Sequence, residues 1–304
     1  MTLMKKALLL LAYGGPEKAE QIEPFLKQLL QRDPLPPGLC ERVEKKYRAV
    51  GGASPLPGIC REIQQKLARK LGEIPVYLAF RYSAPDIAGV VREMAESGVT
   101  RIYALSLSPH SSKISSAAYY QALDKAASDS RLEIVRLENW YRAAAYNRLL
   151  ADRILETAQA NRFSLTAAQT HLLFSAHNIP RSYIAEGDHY VTEIENNIAA
   201  ILRLLPTCSS SLAYQSKGNA PGAWLEPEIE THLLDLKKRG HTDIIIVPIS
   251  FSMDHLETLY DLDLEIKAFC EQENLRCRRS RPANADDDFI EMLARFTDRR
   301  LADD

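Results

Sequence analysis

The chain predicts an α/β fold of two Rossmann-like domains, each a parallel four-stranded sheet flanked by helices, with an active-site cleft facing the carboxyl ends of the strands. Three observations predict it. Short apolar runs alternate with amphipathic helical stretches along the whole chain, the pattern that builds parallel sheets. Four such runs fall in each half. One strand in each half opens alike, with Gly98-Val99-Thr100-Arg101-Ile102 and Gly240-His241-Thr242-Asp243-Ile244, as duplicated units would.

In the first half the strand-like runs lie near 7–12, 76–80, 102–107 and 132–137, and helical periodicity covers 17–31, 38–50, 59–71, 85–97 and 115–127. In the second half the strands lie near 172–176, 212–215, 244–250 and 276–279, with helices over 143–160, 192–205, 227–239, 255–273 and 286–301. The runs at 172–176 and 244–250 are nearly continuous in apolar residues, as in strands covered on both faces. The join lies in or beside the 141–160 helix, and is drawn at its end. That gives domains 1–160 and 161–304, with 161–164 as linker and the last helix able to fold back on the first domain.

The 304 residues are 46% apolar and 26% charged with a net charge of -2, a soluble globular composition with no basic stripe for nucleic acid. The apolar stretch 7–13 is too short to span a membrane and lacks a small-residue cleavage site, so it reads as a buried strand rather than a signal peptide. Cys40, Cys60, Cys208, Cys270 and Cys277 make an odd count without C-x-x-C, which predicts reduced thiols in the cytoplasm and no zinc or iron–sulfur site.

Ligands of open α/β sheets bind beyond the carboxyl ends of the strands. There this chain carries Tyr13-Gly14-Gly15-Pro16, Phe80-Arg81-Tyr82, Ser108-Pro109-His110, Ser175-Ala176-His177, Gln215-Ser216-Lys217-Gly218 and the segment 254–261. His177 reads either as a hydrogen-bonded loop histidine or as a group that accepts a proton or binds a metal near neutral pH. Glu257, Asp261 and Glu265 stand at i, i+4 and i+8, one face of an α-helix. Such a row is either a solvated acidic face or a path that passes a divalent cation inward or protons outward. Its start at the end of a buried strand, with Leu256, Leu259 and Leu262 on other faces, favours the path. The glycines after Tyr13 allow close backbone approach to a ligand, but no G-x-G-x-x-G follows, which excludes a dinucleotide fingerprint.

Taken together these segments resemble the ferrochelatase family. The matching stretches are Leu11-Ala12-Tyr13-Gly14-Gly15-Pro16, Tyr47-Arg48-Ala49-Val50-Gly51-Gly52-Ala53-Ser54-Pro55-Leu56, Ser175-Ala176-His177, Gly187-Asp188, Tyr214-Gln215-Ser216-Lys217, Trp224-Leu225-Glu226-Pro227 and Asp254-His255-Leu256-Glu257-Thr258-Leu259-Tyr260-Asp261. They stand in the family's order and cover nearly the whole chain. The resemblance implies a two-domain chelatase-type fold with a porphyrin in the cleft, Fe²⁺ as the second substrate and loss of two pyrrole protons. It implies His177 and Glu257 as the catalytic pair, with Tyr13, Asp261 and Glu265 joining them on the metal. Ser54, His110, Tyr119, Lys46, Trp224 and Tyr13 are the implied porphyrin contacts. No separate cofactor is required for this redox-neutral chemistry, though a secondary divalent metal such as Mg²⁺ suits the acidic row. The implied partners are the porphyrin, ferrous iron and other haem-pathway enzymes, with no nucleic acid and no stable membrane insertion.

Within the family, tyrosine at position 13 and Ser108-Pro109-His110 resemble the type acting on coproporphyrin III to give coprohaem. Phe80-Arg81-Tyr82 and the Arg32-Asp33 context resemble the protoporphyrin IX type, which gives protohaem. Coproporphyrin is favoured; a non-catalytic tetrapyrrole-binding protein is the remaining alternative. Two departures flank the catalytic histidine: Asn178-Ile179-Pro180 where the family has Ser-Leu-Pro, and His189 within Gly187-Asp188-His189-Tyr190 where it has proline.

Overall fold

The computed structural model describes residues 5–218 and 221–302. Its elements in chain order are β1 (Lys6–Ala12), α1 (Ile22–Leu30), α2 (Leu39–Ala49), α3 (Leu56–Leu71), β2 (Val76–Phe80), α4 (Ile87–Glu96), β3 (Arg101–Ser106), α5 (Ser116–Ala127) and β4 (Glu133–Arg136). They continue as α6 (Ala144–Asn161), β5 (Thr170–His177), α7 (Arg181–Ala185), α8 (Tyr190–Leu202), β6 (Ser209–Gln215), α9 (Ile229–Lys238) and β7 (Asp243–Pro248). A π-helix (Glu257–Ile266), α10 (Lys267–Gln272), β8 (Arg276–Arg279) and α11 (Asp287–Ala302) complete the order. Two short 3₁₀ turns, at Ala19–Gln21 and Trp140–Arg142, lie between them.

The strands form two all-parallel sheets, ordered β2-β1-β3-β4 and β6-β5-β7-β8. The central strands are buried except for a single terminal residue in β1, β3 and β5, and helices cover the sheets as parallel crossovers require. In the first sheet Leu9, Leu11, Ile102 and Ala104 pack against Val90, Val91 and Met94 of α4 and Leu123 of α5. In the second, Leu173, Ile244 and Ile246 pack against Leu233 and Leu236 of α9 and Leu262 and Ile266 of the π-helix.

The duplication extends to individual hydrogen bonds. At the turn into β3, Gly98 N–H bonds Ala95 O and Val99 N–H bonds Met94 O; at the turn into β7, Gly240 N–H bonds Lys237 O and His241 N–H bonds Leu236 O, all at 3.0 Å. At the far end Leu107 N–H donates to Leu11 O, and Ile249 N–H donates to Ser175 O. Lys6 faces Arg101 as Thr170 faces Asp243, so position 13 of the first unit corresponds to position 177 of the second.

The chain packs as two compact units that divide between Trp140 and Tyr141 and again between Ala283 and Asn284. The boundary expected after residue 160 therefore moves to 140. The cause is α6, whose Asn147 accepts from Asn197 of α8 at 2.5 Å and whose Asn161 accepts from Arg278 Nε at 2.7 Å. The α11 helix belongs to the first unit. It buries Phe289 against Trp140 and pairs with α3 through Lys66–Asp287 (2.9 Å) and Lys70–Glu291 (2.5 Å). The expectation of reduced cysteines also needs correction, because Cys270 of α10 and Cys277 of β8 form a disulfide. Their elements are adjacent around a short turn, and both residues are buried. Among the described residues no helix is long and apolar enough to cross a membrane.

Candidate active site

β5 ends on His177 and anchors it from both sides. The His177 N–H donates to Ser250 Oγ at 3.0 Å, just beyond β7, and its carbonyl accepts from the Tyr190 hydroxyl at 3.2 Å. The imidazole Nε2 lies 3.4 Å from Glu257 Oε1, and the other carboxylate oxygen lies 3.4 Å from His255 Nε2. Glu257 thus sits between two imidazoles. The side chains of His177 and Glu257 retain 25% and 32% exposure, so the pair is enclosed but reachable. His177 Nδ1 is buried, away from the Glu257 carboxylate.

The electrostatics follow from this arrangement. Burial alone would lower the His177 pKa, but the Glu257 carboxylate, the Asn178 backbone and Asp261 together outweigh it and leave the group above its ordinary value. Burial would raise Glu257; His177 first and His255 next outweigh it and hold the carboxyl well below the usual carboxylate range. Each group thus favours the charged form of the other, and the imidazole is a stronger base than an isolated one.

The segment that carries Glu257 is a π-helix, not the α-helix that the 255–273 periodicity predicts. The Lys267 N–H reaches back to Leu262 O, closing at i−5 rather than i−4. An α-helix at 3.6 residues per turn carries an i+4 residue about 40° past the first. A turn closed at i+5 takes more residues, so Asp261 falls on the other side of Glu257 around the axis. Ser216 Oγ donates to Asp261 Oδ2 at 2.5 Å, and Gln215 Nε2 donates to Glu257 O at 3.2 Å. Ser216 holds φ at 58°, a left-handed conformation that costs on the order of 1–3 kcal/mol in a non-glycine residue and tends to persist where a side chain must be aimed. Glu265 is exposed. His177, Glu257 and Asp261 are thus gathered together. Among the described residues no three of His, Cys, Asp and Glu stand as a ready-made metal cage.

Trp224 of the same unit lies over Gly218, where a Cβ would come within 2.8 Å of its ring. Its segment is fixed by Asn178, which is fully buried. That side chain donates to Leu225 O at 3.1 Å and accepts from Leu225 N–H at 3.0 Å. The departure from serine at 178 thus has a structural use: the longer amide donates from one atom and accepts on another, pairing with both backbone groups of Leu225.

In the first unit Tyr13 follows β1. It is half-buried, with its ring 4.9 Å from Tyr82 and 6.0 Å from Phe25. Gly14 next to it has φ +95°, and a Cβ on Gly15 would stand 2.8 Å from Ser54 Oγ. The two glycines thus let the Tyr13 loop close onto buried Ser54, whose N–H donates to Pro16 O. Lys46 is partly buried on α2. His110 and Tyr119 are only 2% and 1% exposed, and Tyr119 packs within the helix–sheet core of its unit. The sequence assigns no site role to His255, Gln215, Ser216, Ser250 or Tyr190, although most stand in segments it singles out. Their signal was positional, since each lies at or just past a strand end or one helix start.

The fold is that of the tetrapyrrole-type chelatases. SirB from Bacillus subtilis with Fe3+ superposes with a TM-score of 0.62 at 10% identity, covering 97% of this chain and 95% of that one. CbiX, described as the terminal enzyme for biosynthesis of sirohaem in denitrifying bacteria, superposes at 0.56 with 14% identity, covering 96% and 98%. The ferrochelatase family model matches residues 5–301. A ferrochelatase of Herpetosiphon aurantiacus is 32% identical over 296 residues, covering 95% of this chain and 97% of that protein. A coproporphyrin III ferrochelatase of Oceanobacillus iheyensis is 31% identical over 301 residues, covering 97% and 96%. The chain belongs to the ferrochelatase family, and so is a lyase-type enzyme.

Proposed function

We infer that the chain inserts Fe²⁺ into a porphyrin and releases two protons, with coproporphyrin III as the favoured substrate and coprohaem as the product of this step in haem biosynthesis. The observation that carries the reading is the His177–Glu257 pair, a base at the carboxyl end of a central strand tuned by a partly buried carboxylate. His177 in its neutral form accepts a pyrrole proton, and Glu257 stabilises the imidazolium that results. Asp261, held by Ser216, supplies a hard oxygen ligand for the incoming ion, and Glu265 extends the acidic row outward. Imidazole with carboxylate suits Fe²⁺ and also accepts Zn²⁺ or Co²⁺. The same row is where we place a secondary divalent metal such as Mg²⁺. Tyr13 contributes a phenol oxygen toward the metal. The coproporphyrin preference rests on Tyr13, on Ser108-Pro109-His110 and on relatives named for that substrate. We place the reaction in the cytoplasm.

Anaerobic fluorimetry tests this directly. Fe²⁺ is mixed with the protein and either coproporphyrin III or protoporphyrin IX, and insertion is followed as loss of porphyrin fluorescence. Quenching above the protein-free control is expected with both, faster with coproporphyrin. Control-level rates with both would remove the enzymatic reading, and faster turnover of protoporphyrin would reverse the substrate order.

A further inference from the structure

We propose that Arg279 is a positioning residue that locks segment 257–266 in its π register and thereby fixes where Glu257 and Asp261 stand. The inference rests on the ferrochelatase reading for its consequence, and on the geometry of one guanidinium for its cause.

Arg279 is the last residue of β8, and its side chain is only 12% exposed. Its Nε and Nη2 reach Asp263 Oδ1 and Oδ2, each at 2.7 Å, a fork-to-fork pair. Its Nη1 lies 3.0 Å from Asp254 Oδ1, as an ion pair without hydrogen-bond alignment. Asp254 precedes Glu257 by three residues, and Asp263 lies two residues after Asp261. One guanidinium therefore brackets both acidic groups of the site. Asp254 is tied further into the first turn, where the fully buried Thr258 hydroxyl lies 3.1 Å from its Oδ1 and accepts the His255 N–H at 3.0 Å.

A π-helix is the rarer and usually shorter form, so a run from 257 to 266 needs something to hold it against reverting to α. The duplicated unit supplies a comparison within the chain. Arg136 of β4 faces Ala104 as Arg279 faces Ile246, so the two arginines occupy corresponding positions. Arg136 also reaches back to the preceding helix, pairing with Asp124 of α5. That pair is 43% and 46% exposed, involves one aspartate, and the helix it meets is an α-helix. The less exposed, two-aspartate version occurs where the helix is π. The bidentate pairing asks for a guanidinium specifically, since a lysine is a point charge that cannot present the fork.

Loosening the clamp lets the segment relax toward α spacing, which swings Asp261 to the opposite side of Glu257. The test uses the full chain with Arg279→Lys and Asp263→Asn. In wild type, hydrogen exchange should show amides 257–266 protected. In both variants that protection should fall by about tenfold or more while β5 and β7 keep theirs. In the insertion assay the variants should show KM for Fe²⁺ raised, or kcat/KM for Fe²⁺ lowered, by about ten- to hundredfold, as when partners that orient metal ligands are removed. KM for the porphyrin should stay within about twofold of wild type, which a general loss of stability would not spare. Unchanged exchange over 257–266, or metal and porphyrin constants shifting together, would overturn the proposal. If wild type inserts no metal, the ferrochelatase reading fails, and the exchange arm still decides whether Arg279 holds the segment. If Arg279→Lys does not fold, Asp263→Asn carries the same comparison from the more exposed partner.

Discussion

Tyr13 and His177 occupy the same place in two copies of one scaffold. Each stands two residues past the carboxyl-end hydrogen bond that ties a central strand to its neighbour, Leu11 to Leu107 in one unit and Ser175 to Ile249 in the other. The backbone is common; the chemistry is not. Around Tyr13 stand Tyr82 and Phe25, a ring-lined, uncharged setting. Around His177 stand Glu257, His255 and, one turn on, Asp261, a setting for protons and cations. The duplicated fold thus specialised through the segment after its other central strand. There β3 leads to Ser108-Pro109-His110, whereas β7 leads to a carboxylate-bearing π-helix.

The largest effect that separates the two positions should come from removing the base. His177→Ala is expected to lower metal insertion by about 10²- to 10⁴-fold, the usual worth of a general base, with porphyrin binding retained by fluorescence titration. Tyr13→Phe keeps the ring and loses only the hydroxyl, so it should cost clearly less. Equal losses in the two variants would show that the positions share the chemistry rather than divide it.

The pH dependence sharpens the role of the carboxylate. Because His177 is held above its ordinary value, kcat/KM should fall on the acid side of a midpoint above about 6.5, where the base becomes protonated. Glu257→Gln removes the leading attractive influence and leaves burial, which favours the neutral ring. The acid limb should then move to lower pH by about one unit or more. A limb that stays in place would mean that a group other than His177 sets it. A smaller effect is expected from Ser216→Ala, which frees Asp261 without removing it. Its apparent affinity for Fe²⁺ should weaken by about tenfold, with the acid limb unmoved.

The central strands were legible because a continuous apolar run bounded by turn residues has few other uses, as β5 and β7 show. The acidic row was legible as a row but not as a π-helix. An i, i+4, i+8 spacing fits either helix, and the choice depends on Arg279, which lies sixteen residues beyond Asp263. The chain divides at the start of α6 rather than at its end for a similar reason. Periodicity shows that α6 is a helix, but the partner it packs on is set by Asn147 meeting Asn197 fifty residues later. The disulfide follows from packing of α10 against β8, which spacing alone does not reveal.

The finest comparison lies within a single strand, since β5 carries a histidine at each end with opposite behaviour. His171, near its start, is buried, with Nδ1 and Nε2 each 2.7 Å from a serine hydroxyl, of Ser209 and Ser211. Ser211 also lies 2.7 Å from His232 Nε2, and the ring of His241 lies tilted 4.8 Å from that of His171. Burial first, then His241, His232 and Arg239, push His171 down to about 3. Unfolded, it would bind a proton near pH 6.5. Its contribution to stability is therefore fully present above that value and lost as pH falls from about 6.5 toward 3. His177 has the opposite sign: its contribution is complete below 6.5 and fades as pH rises through its raised value. His171→Gln removes the titrating ring without adding charge, so its melting temperature should fall less steeply from pH 7 to pH 4 than that of wild type. Insertion at neutral pH should barely change, since this end of the strand is six residues from the base. A slope as steep as wild type would assign the acid sensitivity to His232, whose pKa is also lowered, first by burial and then by Arg239.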